Sequence, residues 1–593
     1  MWLNITDCRF LLLDSIKGVS KSMARDLMSL YTGDKPGGTP GLLPQPYYFS
    51  GKGWEAGALM GAMIDYWYYT GDTSYNKVTS EGLLFQVGPN NDYMPPNQTL
   101  TEGNDDQGFW GMAVMSAAEY NFPNPPAGQP GWLALAQAVF NTQAARWDPQ
   151  HCNGGLRWQI FTWNNGFDYK NSISQACFFN IAARLALYTG NATYADWAVK
   201  TWDWMVGVKF IDEHYYVYDG AHTTDNCTGI VPYQFSYNPG AFLLGAAAMY
   251  AYTNNLKQND ESALWHERID GLLNGTDVFF HSMTGTSPKI MFEVACEPVN
   301  LCNVDQQSFK AYLSRWMAAT TKWAPWTFER IKPLLQNSAV AAAKQCTGGD
   351  NGRMCGIRWV NNSDGVWDGT MGVGQQMSAM EVVLANMIEK AQPPVTNSTG
   401  GTSEGNAGAG GSDIGRTDPR GTFATSPITT GDRVGAAFCT AAILGALVAA
   451  CLWMMNDETK SAHENWQDVR SAFAGRGGGG GGGAAAKLSR KSRDAGYDEK
   501  GKGVADYSPN ASVEQTSRPA YGIFEAGPPP MTRGSLLRSS KRAARGGGAS
   551  QYGPAFSAQD EGVPRVSARS QSERGSKRFL QKKRARYIDS VVS

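Results

Sequence analysis

YYTGDTSY at 68–75 recurs as LYTGNATY at 187–194, and a shorter copy, YTGD, stands at 31–34. In each copy an apolar segment ends on Tyr-Thr-Gly, where glycine can take the left-handed conformation that closes a helix. The hydroxyl residues that follow, Thr73 or Ser74 and Thr193, are placed to cap the next helix. The motif therefore reads as the joint of a helical hairpin. Outward from it, between Asp14 and Lys390, two kinds of helical segment alternate. Segments 54–69, 106–120, 171–188, 238–252, 305–319 and 374–389 are apolar nearly all round; segments 14–31, 74–87, 132–147, 194–208, 262–278 and 327–344 carry one apolar stripe and charged faces. The first kind buries itself and the second faces solvent. Six of each, interleaved, predict an all-α fold: an (α/α)6 barrel of six helical hairpins with an inner and an outer ring. An open solenoid is the competing arrangement. The long aromatic and Gly/Asn-rich loops before the inner helices favour a closed barrel with a functional mouth.

The composition allows this. Of 593 residues, 42% are apolar and 11% aromatic, enough for a large core and too many for a disordered or fibrous chain. The net charge of −1 hides an asymmetry: 24 Lys and Arg against 14 Asp and Glu follow Met455, and 28 against 39 precede it. An acidic body argues against nucleic-acid binding by the folded part. Residues 434–455, VGAAFCTAAILGALVAACLWMM, contain no charge, His, Asn or Gln; as a helix they span a hydrocarbon core of ~30 Å. The expected plan is an N-terminal segment at 1–13, a barrel at 14–392, a Gly/Ser/Thr/Pro-rich linker at 393–433, a transmembrane helix at 434–455, and a disordered, basic, cytosolic tail at 456–593. The basic cluster KRFLQKKRARY near its end reads as a solvated terminus in preference to a lipid-binding patch. MWLNITDCRFLLLDSIKG has no basic n-region and too short an apolar run for a signal peptide, so the start is expected to be truncated or misassigned.

Seven N-x-S/T sequons, at Asn4, Asn97, Asn191, Asn226, Asn274, Asn361 and Asn397, precede the apolar segment, and one, at Asn510, follows it. This agrees with a membrane-anchored protein whose body is extracellular or lumenal. Cys296/Cys302 and Cys346/Cys355 are spaced as local disulfide loops; connectivity among the remaining cysteines is not readable. With no C-x-x-C pair and no H-x-x-x-H, neither a metal nor a cofactor is expected.

The strongest local signal is TEGNDDQGFWGMAVMSAAEYN, 101–121. Asp105 and Asp106 stand side by side where an inner helix begins. An Asp there commonly does no more than cap the helix. Here the helix behind the pair is apolar, so the carboxylates open onto a concavity, and Glu102 and Asn104 crowd the same turn. Trp54, Tyr93, Trp110, Trp163 and Tyr169 lie in segments able to line the rim, and aromatic walls suit the apolar faces of sugars. Two carboxylates about one glycosidic bond can divide nucleophile and acid/base roles, and neighbours in one turn favour the short separation of a retaining enzyme. Metal-dependent prenyl diphosphate ionisation asks for DDxxD; the run here is Asp-Asp-Gln-Gly-Phe.

NDYMPPNQTLTEGNDDQGFWGMAVMSAAEYNFPNPP, WLALAQAVFNTQAARWD, GGLRWQIFTWNNGFDYKNSIS, YNPGAFLLGAAAMY, FEVACEP, SFKAYLSRWMAATT and GVGQQMSAMEV together closely resemble fungal glycoside hydrolase family 76, the mannan endo-1,6-α-mannosidase-like cell-wall proteins. The resemblance covers roughly 14–395. It implies an (α/α)6 barrel and double displacement, with Asp105 as nucleophile and Asp106 as general acid/base. It also implies α-mannoside substrates: wall mannan or the glycan of GPI-anchored proteins, with transfer to wall glucan. A GPI signal ends in its hydrophobic tail. Here 138 residues follow the apolar segment, which reads as a true single-span anchor in the plasma membrane or an endomembrane.

Polar and aromatic residues at the inner-helix starts complete the expected site: Trp54 as a stacking surface, and Asn104, Tyr169, Asn171, Tyr237, Asn238 and Lys310 as sugar-binding groups. Arg157 and Gln159 fall in what reads as a rim hairpin. A catalytically idle glycan-binding or wall-organising protein on the same barrel is the alternative; it would not need both carboxylates.

Overall fold

The computed structural model of the chain describes residues 13–46, 53–96, 101–282, 284–285, 287–360, 366–410, 430–454, 459–461, 463–467 and 470. The segment 1–12, the sequons at Asn4, Asn97, Asn361 and Asn510, and the tail from 471 lie outside the described residues.

Twelve helices match the alternating pattern: α1 Leu13–Met28, α2 Trp54–Thr70, α3 Asn76–Phe85, α4 Asn104–Glu119, α5 Trp132–Ala145, α6 Ser172–Thr189, α7 Ala192–Gly207, α8 Tyr237–Asn255, α9 Asn259–Gly275, α10 Phe309–Trp323, α11 Phe328–Lys344 and α12 Val373–Leu384. Gly71 and Gly190 close α2 and α6 with φ of 75° and 73°. The caps that follow are not the hydroxyl residues. Asp72 accepts the Ser74 N–H (2.9 Å) and Asn191 accepts the Thr193 N–H (3.0 Å), because an Asx side chain reaches the amide two residues on.

The six apolar helices α2, α4, α6, α8, α10 and α12 each pack on the next, and α12 packs on α2. That closes a ring. The amphipathic helices cover it from outside, α3 on α2, α5 on α4, α7 on α6, α9 on α8, α11 and α1 on α12. The inner helices begin at one end of the ring, where their first residues meet. Trp54 Nε1 donates to Asp305 Oδ1 (3.2 Å), Asn171 Nδ2 to Asp105 Oδ2 (3.3 Å) and Gln375 Nε2 to Gln307 Oε1 (3.0 Å), while the Tyr237 ring stacks on Phe309 at 3.8 Å. Two short antiparallel ribbons interrupt the helical plan in the loops at 169–222 and 280–291. Of these, β1 (Tyr169–Asn171) pairs with β2 (Gly220–His222), placing Asn171 opposite Gly220.

Nearer the other end the inner helices are tied by buried ions. Arg184 of α6 meets Glu119, the last residue of α4, at 2.6 Å, and Arg315 of α10 lies 2.6 Å from Asp65 and 2.7 Å from Glu381. Burial pushes the Glu381 carboxyl up to about 8, with Arg315 opposing. Glu381, Gln375 and Gln376 are thus wall residues of the ring.

The predicted linker is partly structured. Residues 395–410 form a strap over the ring: the Val395 N–H bonds the Glu119 carbonyl, Asn397 N–H the Tyr188 carbonyl, and Leu133 N–H the Ser403 hydroxyl. Gly131 permits this approach, because a side chain there would meet the Glu404 carbonyl at 2.3 Å. Further on, α13 (Thr430–Met454) carries an 18-residue apolar window, Ala437–Met454, of mean hydropathy 2.1 with none of it buried. By length and composition it is sufficient to cross a bilayer.

Removing one partner of a buried ion pair leaves an unmatched charge. Arg184→Met should lower unfolding free energy by about 3–5 kcal/mol, and the double replacement Arg184→Met/Glu119→Leu should recover most of that. Denaturant melts of the single and double variants check it; an unchanged Arg184→Met midpoint would sink the assignment.

Candidate active site

Every residue of α4 is buried except Asp105. The helix begins on Gly103, whose N–H donates to Asp106 Oδ2 (2.6 Å); Asp105 Oδ1 accepts the Asp106 N–H (3.1 Å) and its Oδ2 the Asn171 amide. Asp106 is therefore a cap as well as a candidate acid, and both carboxylates fold back over Gly103. A Cβ at 103 would lie 2.4 Å from Asp105 Oδ1 and 3.2 Å from Asp106 Oδ2. Glycine is required there by the acids themselves. The partial positive charge of the helix N-terminus favours such a cluster.

Asn104 is not free to bind sugar. Its side chain bonds the Arg157 carbonyl (2.8 Å) and the Arg146 guanidinium (2.9 Å), and its carbonyl accepts Gln143 Nε2 (2.6 Å). It fastens the α4 start to the rim hairpin, whose Gln159 bridges Gly103.

Asn171 caps α6: its Oδ1 accepts the Ser174 N–H (3.3 Å), which turns its amide group toward Asp105. Its strand is held by Lys170, which is fully buried, lies 3.4 Å from Asp148 and donates to the carbonyls of Asp148, His151 and Gly154. Burial pushes that ammonium down to about 8, with Asp148 opposing. The Cys152–Cys227 disulfide joins the same loop to the segment after β2.

The other expected site residues divide. Trp54 packs its ring on Phe109 at 4.7 Å beside Asp305. Tyr169 donates its hydroxyl to Asp219 Oδ2 (2.7 Å). Tyr237 is half-buried; burial pushes its phenol up, and Asp219, Asp105 and Asp305 act in the same direction, so these acids share one neighbourhood. Asn238 is fully buried, with neither polar side-chain atom bonded within the protein. Lys310 is not brought to this group. It is wholly buried, pairs with Glu297 at 2.7 Å, bonds the Ile357 carbonyl and lies over the Trp359 ring. Of the rim aromatics, Trp163 is exposed and stacked on Phe161, whereas Trp110 and Tyr93 stack on each other inside the core.

Three contributors escaped the sequence reading. Gly103 is visible only once the carboxylates are seen to turn back. Asp219, in YYVYDGAH, and Asp305 lie far along the chain from Asp105, and no local spacing ties them to it. Cys296–Cys302 and Cys346–Cys355 are bonded as expected; Cys152–Cys227 spans 75 residues, and Cys177 is a buried free thiol. Among the described sequons, Asn191, Asn226, Asn274 and Asn397 are exposed.

The model of glycosyl hydrolase family 76 matches residues 15–398. A Candida glabrata protein, mannan endo-1,6-alpha-mannosidase DCW1, is 46% identical over 444 residues, covering 74% of this chain and 94% of that protein. Mannan endo-1,6-alpha-mannosidase DFG5 of Saccharomyces cerevisiae is 43% identical over 431 residues, 72% of this chain and 90% of its own. The crystal structure of Dfg5 from Chaetomium thermophilum in complex with glucosamine superposes with a TM-score of 0.62 at 46% identity, covering 71% of this chain and 99% of that one.

Closing a 75-residue loop contributes about 4 kcal/mol on the chain-entropy account. Cys152→Ser/Cys227→Ser should therefore lower unfolding free energy by roughly that amount. Denaturation against the parent measures it, and parity between the two would show that the loop is held by Lys170 alone.

Proposed function

The chain belongs to glycosyl hydrolase family 76, and from that membership we propose that it is a retaining, endo-acting α-1,6-mannosidase or mannosyl transglycosidase of the mannan endo-1,6-α-mannosidase type, built on an (α/α)6 barrel. The observation that carries the reading is the burial pattern of α4: of sixteen residues only Asp105 is left unburied, with its neighbour Asp106 sharing the turn.

Asp105 attacks the anomeric carbon while Asp106 gives its proton to the departing glycosidic oxygen, leaving a glycosyl ester on Asp105. Asp106, now a carboxylate, takes a proton from water or an acceptor sugar hydroxyl. That oxygen bonds the anomeric carbon and the ester bond breaks. The Asn171 amide orients Asp105 for attack. The donor is wall mannan or the mannose-containing glycan of a GPI-anchored protein, and wall glucan is the acceptor when transfer competes with hydrolysis. α13 anchors the enzyme as a single span with the catalytic domain extracellular or lumenal. The exposed sequons at Asn191, Asn226, Asn274 and Asn397 support that side, where they are the glycosylation sites.

Asp105→Asn should abolish turnover of a linear α-1,6-mannooligosaccharide with the fold and glycan binding kept. Gly103→Ala should lose at least about 100-fold in kcat/KM by displacing both acids. The first-formed product should be the α-anomer, read by NMR, and a mechanism-based fluorosugar should add one glycosyl mass to the intact protein. Full turnover by Asp105→Asn, or a β-anomeric product, rejects the scheme.

A further inference from the structure

Asp219 stands immediately before β2. Its main-chain carbonyl accepts the Ser172 N–H (2.7 Å) at the start of α6, and the next residue, Gly220, is the ladder partner of Asn171, which holds Asp105. The strand pairing thus delivers a third carboxylate to the catalytic cleft from a loop 114 residues beyond the first. One of its oxygens is occupied, accepting the Tyr169 hydroxyl at 2.7 Å. The other has no hydrogen bond among the described residues, and the residue is half-exposed. The Tyr237 hydroxyl beside it is likewise without a protein hydrogen bond among the described residues, while its phenol faces both Asp219 and Asp105. Protein crowds Asp219 without sealing it, as at the floor of a pit.

We propose that Asp219 is a substrate-binding carboxylate whose Oδ1 accepts a hydroxyl of the mannosyl unit seated against Asp105, with Tyr169 fixing its other oxygen. This rests on the glycosidase reading of the Asp105–Asp106 pair. It gives the cleft an acceptor that a sugar hydroxyl can reach and that the protein does not use for its own folding.

The titratable groups facing Asp219 are Tyr169 from β1 and Tyr237 from α8, with Asp105 of α4 across Tyr237; no cation among the described residues offsets its charge. Burial pushes its carboxyl up to about 6, opposed only by the Tyr169 hydrogen bond. The ionised form is the stronger acceptor, so glycan affinity is full above that value and falls as pH drops through it.

The test uses the full-length protein in detergent and a linear α-1,6-mannotetraose. Asp219→Asn should raise KM about tenfold or more, leave kcat nearly unchanged, and remove the acid limb of kcat/KM near pH 6. Tyr169→Phe should keep that limb and move it to higher pH, because the lost hydroxyl no longer favours the carboxylate. A residue that merely packs would lower the melting temperature with the limb in place. A folded Asp219→Asn with unaltered KM, or a Tyr169→Phe limb that does not move, overturns the proposal. Calorimetric binding of the tetraose to Asp105→Asn, with and without Asp219→Asn, separates this from the catalytic reading. Tenfold weaker binding with no turnover in the parent keeps the site and rejects the mannosidase; normal parent turnover with unchanged binding does the reverse.

Discussion

Six buried helices run side by side in the same direction, and that constraint organises everything else. Each inner helix is followed by an outer one that returns the chain, so every inner helix starts at the same end of the ring. Each start leaves backbone N–H groups without an intrahelical acceptor. Six such ends converge where Trp54, Asp105, Asn171, Tyr237, Phe309 and Gln375 meet their neighbours across the ring. The cleft is therefore an electropositive backbone environment before any side chain is counted, and acids are the side chains that suit it.

The acids that collect there are held by different means. Asp105 and Asp106 accept amide hydrogens at a helix start. Asp219 takes a phenol hydrogen and Asp305 an indole hydrogen. Glu55 has no such relief: burial, and then Asp305, push its carboxyl well up. Away from the mouth the situation reverses, and Arg184 and Arg315 compensate Glu119, Asp65 and Glu381 inside the wall. The ring thus separates acids that face the cleft from acids that are neutralised for packing.

Loops decide the geometry of the mouth, and they are fastened one to another more than to the helices. Lys170 gathers three carbonyls of the 148–154 loop, Cys152–Cys227 ties that loop to the far side of β2, and Asn104 pins the rim hairpin to α4. The strap at 395–410 runs over α4, α5 and α6 through backbone bonds. Such a segment reads as linker because its composition is polar and small, yet small residues are what allow a chain to lie against a helix this closely.

Periodicity alone specified the twelve helices, their alternation, the hairpin joints at Gly71 and Gly190 and the apolar segment that becomes α13, because burial on one face or all faces leaves its mark every few residues. The acid pair was legible for the same reason: both residues share one turn. The two short disulfide loops were readable from spacing. What only the tertiary structure decided are relations between residues distant in sequence: Asn171 on Asp105, Asp219 on Tyr169, Cys152 to Cys227, and the burial of Lys310 behind Glu297. Chain entropy and local propensity place no constraint on such pairs until the ring closes. The side of a helix start that faces the cleft, and the side that faces a neighbour, is settled by that closure.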